Sequence, residues 1–384
     1  MSSGRYEQRG VSADKSEVHQ AIQNLDKGIF PNAFCKILPD ITGGDDAYCN
    51  LMHADTAGTK TSLAYIYWKE TGDLSVWEGI VQDALVMNLD DMACSGLVND
   101  FIVSSTIGRN KNLIPAEVLK TLIDAGPKFA SRLAKFGINM HLAGGETADV
   151  GDIVRTADVG FTVFGRMKKE DVIQIDIREG DYIVGFAGYG QTTYEDSYNG
   201  GMGSNGLTSA RHDVFANSYA QKYPESFDPS LPADLVYAGT RKLTEEISID
   251  GTTTTLGKLV LSPTRTFLPF LATLLPELKK EINGIIHNTG GSLYKVEKFI
   301  ANGLCAVKDN LLPVPPLFQI IGQESGTAHM DMFKVFNMGT RLEIYTPHLA
   351  SAQIMIEEAG KLGISAQIIG RVVTGEQAKV KILD

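Results

Sequence analysis

Three stretches in the first half of the chain place acids, a lysine and glycines at spacings that suit phosphate and metal chemistry. Ala54-Asp55-Thr56-Ala57-Gly58-Thr59-Lys60 lies between a strand pattern and a helix pattern. A glycine at such a junction lets backbone N–H groups approach a ligand, and a helix start favours anions. Asp55 is a hard oxygen donor suited to Mg²⁺, and Lys60 is a point charge suited to phosphate. The stretch is not a P-loop, which needs GxxxxGK[ST]. The plainer alternative is an ordinary strand–turn–helix junction capped by Asp55. Asn88-Leu89-Asp90-Asp91-Met92 sits inside an apolar helix pattern. One of its two carboxylates must lie near the apolar face, where it wants a cation. The alternative is a kinked or capped helix with both acids solvated. Gly144-Gly145-Glu146-Thr147-Ala148-Asp149 follows the strand pattern Asn139–Ala143. It reads as a Mg²⁺ and phosphate site at the end of a strand, or as a tight turn with exposed acids. Asp55, Asp91, Glu146 and Asp149 are together expected to converge as metal ligands around a nucleotide.

The second half offers four further stretches. Ser204 and Asn205 precede a helix that carries Arg211, and Ser262-Pro263-Thr264-Arg265 precedes another. His287-Asn288-Thr289-Gly290-Gly291-Ser292 follows a strand pattern and suits anion binding. Phe336-Asn337-Met338-Gly339-Thr340 reads as a turn. His287 taken alone is more readily a structural histidine; the signal lies in the set. No GxSxG elbow and no HExxH occurs. The GxGxxG at Gly201–Gly206 lacks the strand-first context of a dinucleotide fold.

The elements that would carry these residues alternate along the chain. Helix patterns run from Asp14 through Val18, Ile22 and Leu25, over Val76–Ala93, and from Pro115 to about Phe136, with a break or kink expected at Pro127. Phe101–Ile107 and the long alternating Thr156–Gly165 read as strands. A charged, turn-rich stretch from Arg166 to Asp181 marks a boundary, giving units 1–170 and 171–384. Residues 223–257 read as irregular. The fold class is α+β, with two α/β-type domains facing a cleft.

The 384 residues are 43 % hydrophobic and 21 % charged, a globular composition. A net charge of −11 argues against nucleic acid as a partner. No apolar run is long enough to span a membrane, and the N-terminus lacks a signal-peptide core. Four scattered cysteines, none in a CxxC pair, suit a cytoplasmic protein.

Taken in order, the motifs resemble the aminoimidazole ribonucleotide synthetase (phosphoribosylformylglycinamidine cyclo-ligase) family. It belongs to an ATP-binding superfamily that also holds selenophosphate synthetase, thiamine-monophosphate kinase and formylglycinamidine ribonucleotide synthetase. The resemblance runs from about Tyr6 to the C-terminus. The family's TDGVGTK matches at Asp55, Gly58, Thr59 and Lys60, and its Asn-Asp pair falls on Asp90 and Asp91. GGETAE falls on Gly144–Asp149, PHSNG on Met202–Gly206, APTR on Ser262–Arg265, HLTGGG on His287–Ser292 and FNxG on Phe336–Gly339. Gly203 stands where the family has its histidine. The chain has extra residues around Gln191–Gly200 and His212–Lys258.

The resemblance implies ATP-dependent cyclisation of formylglycinamidine ribonucleotide to aminoimidazole ribonucleotide, with release of ADP and phosphate. It implies catalytic Lys60, Asp91 and His287. ATP would be bound by Asp55, Gly58, Thr59, Lys60, Gly144, Gly145, Glu146 and Thr147, and the substrate by Asn205, Arg265, Thr289 and Gly290. Mg²⁺ would accompany ATP, and the active unit would be a homodimer whose N-terminal sheets join. A small-molecule kinase of the same superfamily is the nearest alternative, and a non-catalytic nucleotide-binding protein the next.

Overall fold

The computed structural model describes residues 5–11, 20–21, 23–375 and 379–383. Asp14, Val18 and Ile22, on which the expected first helix rests, lie outside them.

Five strands before residue 170 form the first sheet: β1 (Ile37–Pro39), β2 (Tyr48–Thr56), β3 (Phe101–Arg109), β4 (Met140–Asp149) and β5 (Ala157–Lys168). Their order is β1-β2-β5-β3-β4, with β3 and β4 parallel and the other pairs antiparallel. One face carries α1 (Lys60–Thr71), α2 (Ser75–Ala93) and α3 (Ala116–Ala134). On β3, Phe101, Val103 and Ile107 point into that core and Ile102, Ser104 and Thr106 point out, the period-two pattern of a half-covered strand. On the outer face Met52, Phe164, Ile102 and His141 stand in register across four strands, with Met52 63 % and Ile102 47 % exposed.

Helix α2 decides where the chemistry can lie. It is apolar on all sides and buried on nearly every residue, because the sheet covers one side and the second half of the chain the other. Asp83, Asn88, Asp90 and Asp91 are carried inside with it, so each must find a partner there. Helix α3 runs through Pro127 without the expected break. Pro127 faces solvent, and the Ile123 carbonyl it leaves without a donor lies on the 54 %-exposed side, where water can reach it.

The glycine-rich stretch after Ala143 is strand, not a turn. Strand β4 continues through both glycines to Asp149, with an irregular register against β3 between Val103 and Ser105. Gly144 takes the left-handed φ of 95°, and a Cβ on Gly145 would lie 2.3 Å from the Ser105 carbonyl oxygen. The two glycines therefore make a bulge at a close approach of two backbones.

After residue 181 a second sheet runs β13 (Val380–Ile382), β10 (Leu304–Lys308), β12 (Ala366–Thr374), β6 (Tyr182–Ala187), β11 (Thr340–Thr346), β9 (Gly284–His287). Helices α4 (Leu207–Val214), α5 (Leu268–Leu278), α6 (Pro316–Ser325) and α7 (Leu349–Lys361) belong to this half. The stretch expected to be irregular contains a hairpin, β7 (Glu246–Ile249) and β8 (Thr252–Thr255). Its turn is Asp250-Gly251, both at positive φ (48° and 78°), as a tight two-residue hairpin turn requires.

The extra segments lie against α1, the turn after it and the loop before α5. Tyr194 donates to the Thr266 carbonyl at 2.7 Å. Tyr65 of α1 donates to Glu225 at 2.6 Å, the Tyr67 and Thr255 hydroxyls meet at 2.8 Å, and Lys258 pairs with Asp73 at 2.8 Å.

Candidate active site

Helix α2 is the spine along which the motifs meet. Near its start, Gly79 faces Pro263, whose Cγ would lie 3.1 Å from an added Cβ. One turn on, the Asp83 carboxylate accepts from Lys60 Nζ at 2.9 Å, from the Thr264 N–H at 2.8 Å and from the Thr264 hydroxyl at 2.6 Å. Lys60 also donates to the carbonyls of Gly203 at 3.3 Å and Ser262 at 2.6 Å. Burial presses its pKa down, and Asp83 opposes that shift. A fully buried ammonium whose three donors are all engaged has none left for a phosphate. The structure thus gives Lys60 the place of a strut between the two halves, where a phosphate contact was expected.

Two turns further along α2, Asp90 accepts from the Thr266 hydroxyl at 2.7 Å and from the Phe267 N–H at 2.8 Å. Burial pushes it up to about 7. Asp91 points the other way. Its Oδ1 lies 2.7 Å from His287 Nδ1, and its Oδ2 lies 3.7 Å from His53 Nε2. Burial works against its ionisation, but the Lys295 charge and the His287 hydrogen bond hold it at about 2. His287 Nε2 lies 3.1 Å from Arg341 Nε. Arg341 can only donate, so Nδ1 of His287 carries the ring proton and donates to Asp91. Burial first, and Arg341 second, press His287 down to about 4, so the ring is neutral. Asp91 and His287, expected independently as site residues, are thus one hydrogen-bonded pair.

The rim of this seam is built by the other expected residues. Asp55 ends β2, half-buried, and accepts from the Thr56 N–H at 2.7 Å. Gly58 is exposed with φ 60°, and the Thr59 hydroxyl meets that of Thr208 on α4 at 2.9 Å. Asn205 and Ser204 turn in beside them, and Asn205 Oδ1 and Ser204 Oγ have no partner among the described residues. Asn205 Nδ2 approaches Gly290, 3.8 Å from where a Cβ would stand, and Thr289 accepts from Lys295. Asn337 ties the turn before β11 to the Gly201 carbonyl at 2.9 Å.

Two expectations are corrected. Arg265, expected at the substrate, is buried and fully engaged. It pairs with Glu195 of the first extra segment and donates to the carbonyls of Ala187 at 2.9 Å and Tyr189 at 2.7 Å. The four expected metal ligands do not converge either. Strand order puts β5 and β3 between Asp55 on β2 and Gly144, Gly145, Glu146, Thr147 and Asp149 on β4, an offset of about 14 Å at normal strand spacing. Asp149 instead pairs with Arg109 at 2.7 Å. Among the described residues, no three His, Cys, Asp or Glu side chains stand close enough to hold a metal ion.

A four-carboxylate cage therefore does not fit. Magnesium that arrives with phosphate oxygens needs only one or two carboxylates, and Asp55 and Asp91 both lie near enough to Arg341 for their charges to act on it. Sequence reasoning missed Asp83, Glu195 and Arg341. Asp83 could have been found as a charge inside a mostly apolar helix; Arg341 stands in an alternating stretch, where nothing local marks it as buried. A separate cavity of about 630 Å³ is lined by Gln82, Lys128, Arg132, Tyr198 and the Thr252–Thr255 strand, and shares only Ser262 and Pro263 with the motifs.

Residues 43–167 match the family model described as AIR synthase related protein, N-terminal domain. That stretch is similar to an AIR-synthase-related domain. The chain is also similar along nearly its whole length to phosphoribosylformylglycinamidine cyclo-ligases. That of Alkaliphilus metalliredigens is 25 % identical over 393 residues, covering 98 % of this chain and 97 % of the relative. That of Methanocaldococcus jannaschii is 27 % identical over 328 residues, 85 % of this chain and 79 % of the relative. Among solved structures, tt0281 from Thermus thermophilus aligns with a TM-score of 0.50 at 14 % identity, over 95 % of this chain and 96 % of that one. A HypE-HypF complex aligns with a TM-score of 0.54 at 13 % identity, over 96 % of each chain. These likenesses establish the fold. Among the described residues, no helix is long and apolar enough to cross a membrane.

Proposed function

We propose that the chain is a cytoplasmic phosphoribosylformylglycinamidine cyclo-ligase, working at the seam between units 1–170 and 171–384. The observation that carries the reading is the convergence along α2 of motifs encoded far apart: Asp55–Lys60, Asp90-Asp91, Gly203–Thr208, Ser262–Phe267 and His287–Gly290. Relatives named for this activity over nearly the full length support it.

In the proposed reaction the γ-phosphoryl of ATP passes to the formyl oxygen of formylglycinamidine ribonucleotide. The amidine nitrogen then attacks the formyl carbon, the ring closes and phosphate leaves. Phosphorylation is needed because an amide oxygen is a poor leaving group. Such a transfer calls for positioning and charge balance more than for covalent help. Asp55 and Asp91 would hold Mg²⁺, which neutralises triphosphate charge when bound. The backbone at Gly58–Thr59 and the open Ser204 and Asn205 side chains would orient the substrates, with Thr289 and Gly290 opposite. His287 holds a proton at Nδ1 against Asp91 and lies where it can steady that carboxylate.

The exposed row Met52, Phe164, Ile102 and His141 suits pairing with a second copy, giving the homodimer. Strand β4, with Gly144–Thr147 open to solvent on the same sheet, would border that interface.

The test is incubation of the purified protein with Mg·ATP and formylglycinamidine ribonucleotide. Aminoimidazole ribonucleotide with equimolar ADP and phosphate supports the reading. A stable product heavier by one phosphoryl group, or no consumption of ATP, overturns it.

A further inference from the structure

The place of the missing family histidine is filled, and what fills it can be seen. A Cβ on Gly203 would lie 2.7 Å from Arg341 Nη1 and 3.0 Å from its Cζ. A Cβ on Gly188 would lie 2.8 Å from Arg341 Cβ. Two glycines thus leave room for one arginine, which comes from β11 and is only 2 % exposed.

Arg341 is unusual among the buried cations near it. Lys60 pairs with Asp83 at 2.9 Å, Lys308 pairs with Glu343 at 2.6 Å, and Arg265 pairs with Glu195. Among the described residues, Arg341 has no carboxylate within ion-pair distance. It donates to His287 Nε2 at 3.1 Å, to the Asn288 carbonyl at 3.3 Å and to Met87 Sδ at 3.3 Å. A buried guanidinium without a direct counter-ion is costly, so packing alone is a poor reason for it. Its best-formed side-chain contact is with the histidine that holds Asp91.

We propose that Arg341 is the positioning residue of this active site, standing in the space of the family's histidine and fixing, through its Nε–H, the tautomer in which His287 presents Nδ1–H to Asp91. Its catalytic consequence rests on the cyclo-ligase reading; its geometric consequence does not. Gly203 and Arg341 then form a unit, in which a side chain at 203 must displace the guanidinium end of Arg341.

Arg341→Met keeps the length of the side chain and removes the donor. In protein labelled with ¹⁵N-histidine, the native His287 ring is expected to show the Nδ1–H tautomer by NMR, and Arg341→Met to shift it to a mixture or to Nε2–H. The turnover number is expected to fall by about 100-fold, with KM for ATP changed by less than about threefold. Gly203→His alone is expected to lose activity by collision. The double variant Gly203→His/Arg341→Ala is expected to recover at least about tenfold over that single variant; histidine tolerates the left-handed φ of 65° at 203 better than most residues. The double variant also serves if Arg341→Met does not fold.

An unchanged tautomer in folded Arg341→Met overturns the proposal. So does turnover within about threefold of native, or a double variant no more active than Gly203→His. If the native protein cyclises nothing, the functional reading fails, while the tautomer measurement, which needs no substrate, still decides the place of Arg341.

Discussion

Two buried charged sets join the same two halves of this chain along the same helix, and they are finished to different degrees. At Asp83 the charges are matched: Lys60 has three acceptors, one carboxylate oxygen takes three donors, and the other, which accepts no hydrogen bond among the described residues, lies 2.9 Å from the Lys60 ammonium. Two turns later, at Asp91, the matching stops short. Asp91 is held through a neutral histidine, the arginine behind it touches no described carboxylate, and Asn205 and Ser204 keep oxygens at the rim that no described residue partners. A closed network of this kind rigidifies; an open one leaves donors and acceptors for a ligand. Lys60, the residue whose type most suggested phosphate, belongs to the closed set.

The largest effect should come from breaking the closed set. Lys60→Met leaves Asp83 buried without its cation and is expected to cost about 3–5 kcal/mol of stability in denaturant unfolding. Turnover per folded molecule should stay within about threefold. Loss of turnover with stability intact would place Lys60 at the phosphates and erase the comparison.

A smaller effect sharpens it away from the seam. His212 is buried beside Arg211 and Arg9 and accepts from the Tyr237 N–H at 3.1 Å. Burial, then those two cations, press it down to about 2, so the folded protein keeps the ring neutral. The unfolded chain takes up a proton below about 6.5, so this contribution to stability is present above that pH and is lost as pH falls. Between pH 6.5 and 5 the loss is expected to be about 2 kcal/mol, and His212→Asn should flatten that slope in unfolding curves. An equal slope in the variant would show that other groups cause it.

The smallest effect concerns the extra segment over α1. Tyr65→Phe removes the bond to Glu225 and is expected to cost about 1 kcal/mol with no change in turnover. A change in turnover would mean that this segment is part of the site and not only a strap across it.

The alternation of elements and the apolar character of α2 were legible because each rests on local periodicity. The hairpin at Asp250-Gly251 was not: its polar neighbours made residues 223–257 read as irregular. The extent of β4 was not. Two glycines after a strand usually end it, and only the close approach of the Ser105 backbone explains why these continue it. Nor was Arg341. In Thr340-Arg341-Leu342-Glu343-Ile344-Tyr345, polar and apolar residues alternate as they do in a strand with one wet face. Strand β11 lies between β6 and β9 with both faces covered, so Arg341 and Glu343 are carried inside and must be answered by His287 and Lys308. The clustering of four carboxylates failed for a similar reason. Strand order, which no local pattern encodes, set β4 three positions from β2.

Asp91 is the residue at which the seam is tested most directly. Asparagine there keeps an oxygen for the His287 Nδ1–H and removes the charge, so Asp91→Asn should retain the native unfolding transition. Formation of aminoimidazole ribonucleotide from formylglycinamidine ribonucleotide and Mg·ATP should fall by about 100-fold or more. Native-level product from that variant would contradict the claim that the seam at Asp91 and His287 is where ATP is used.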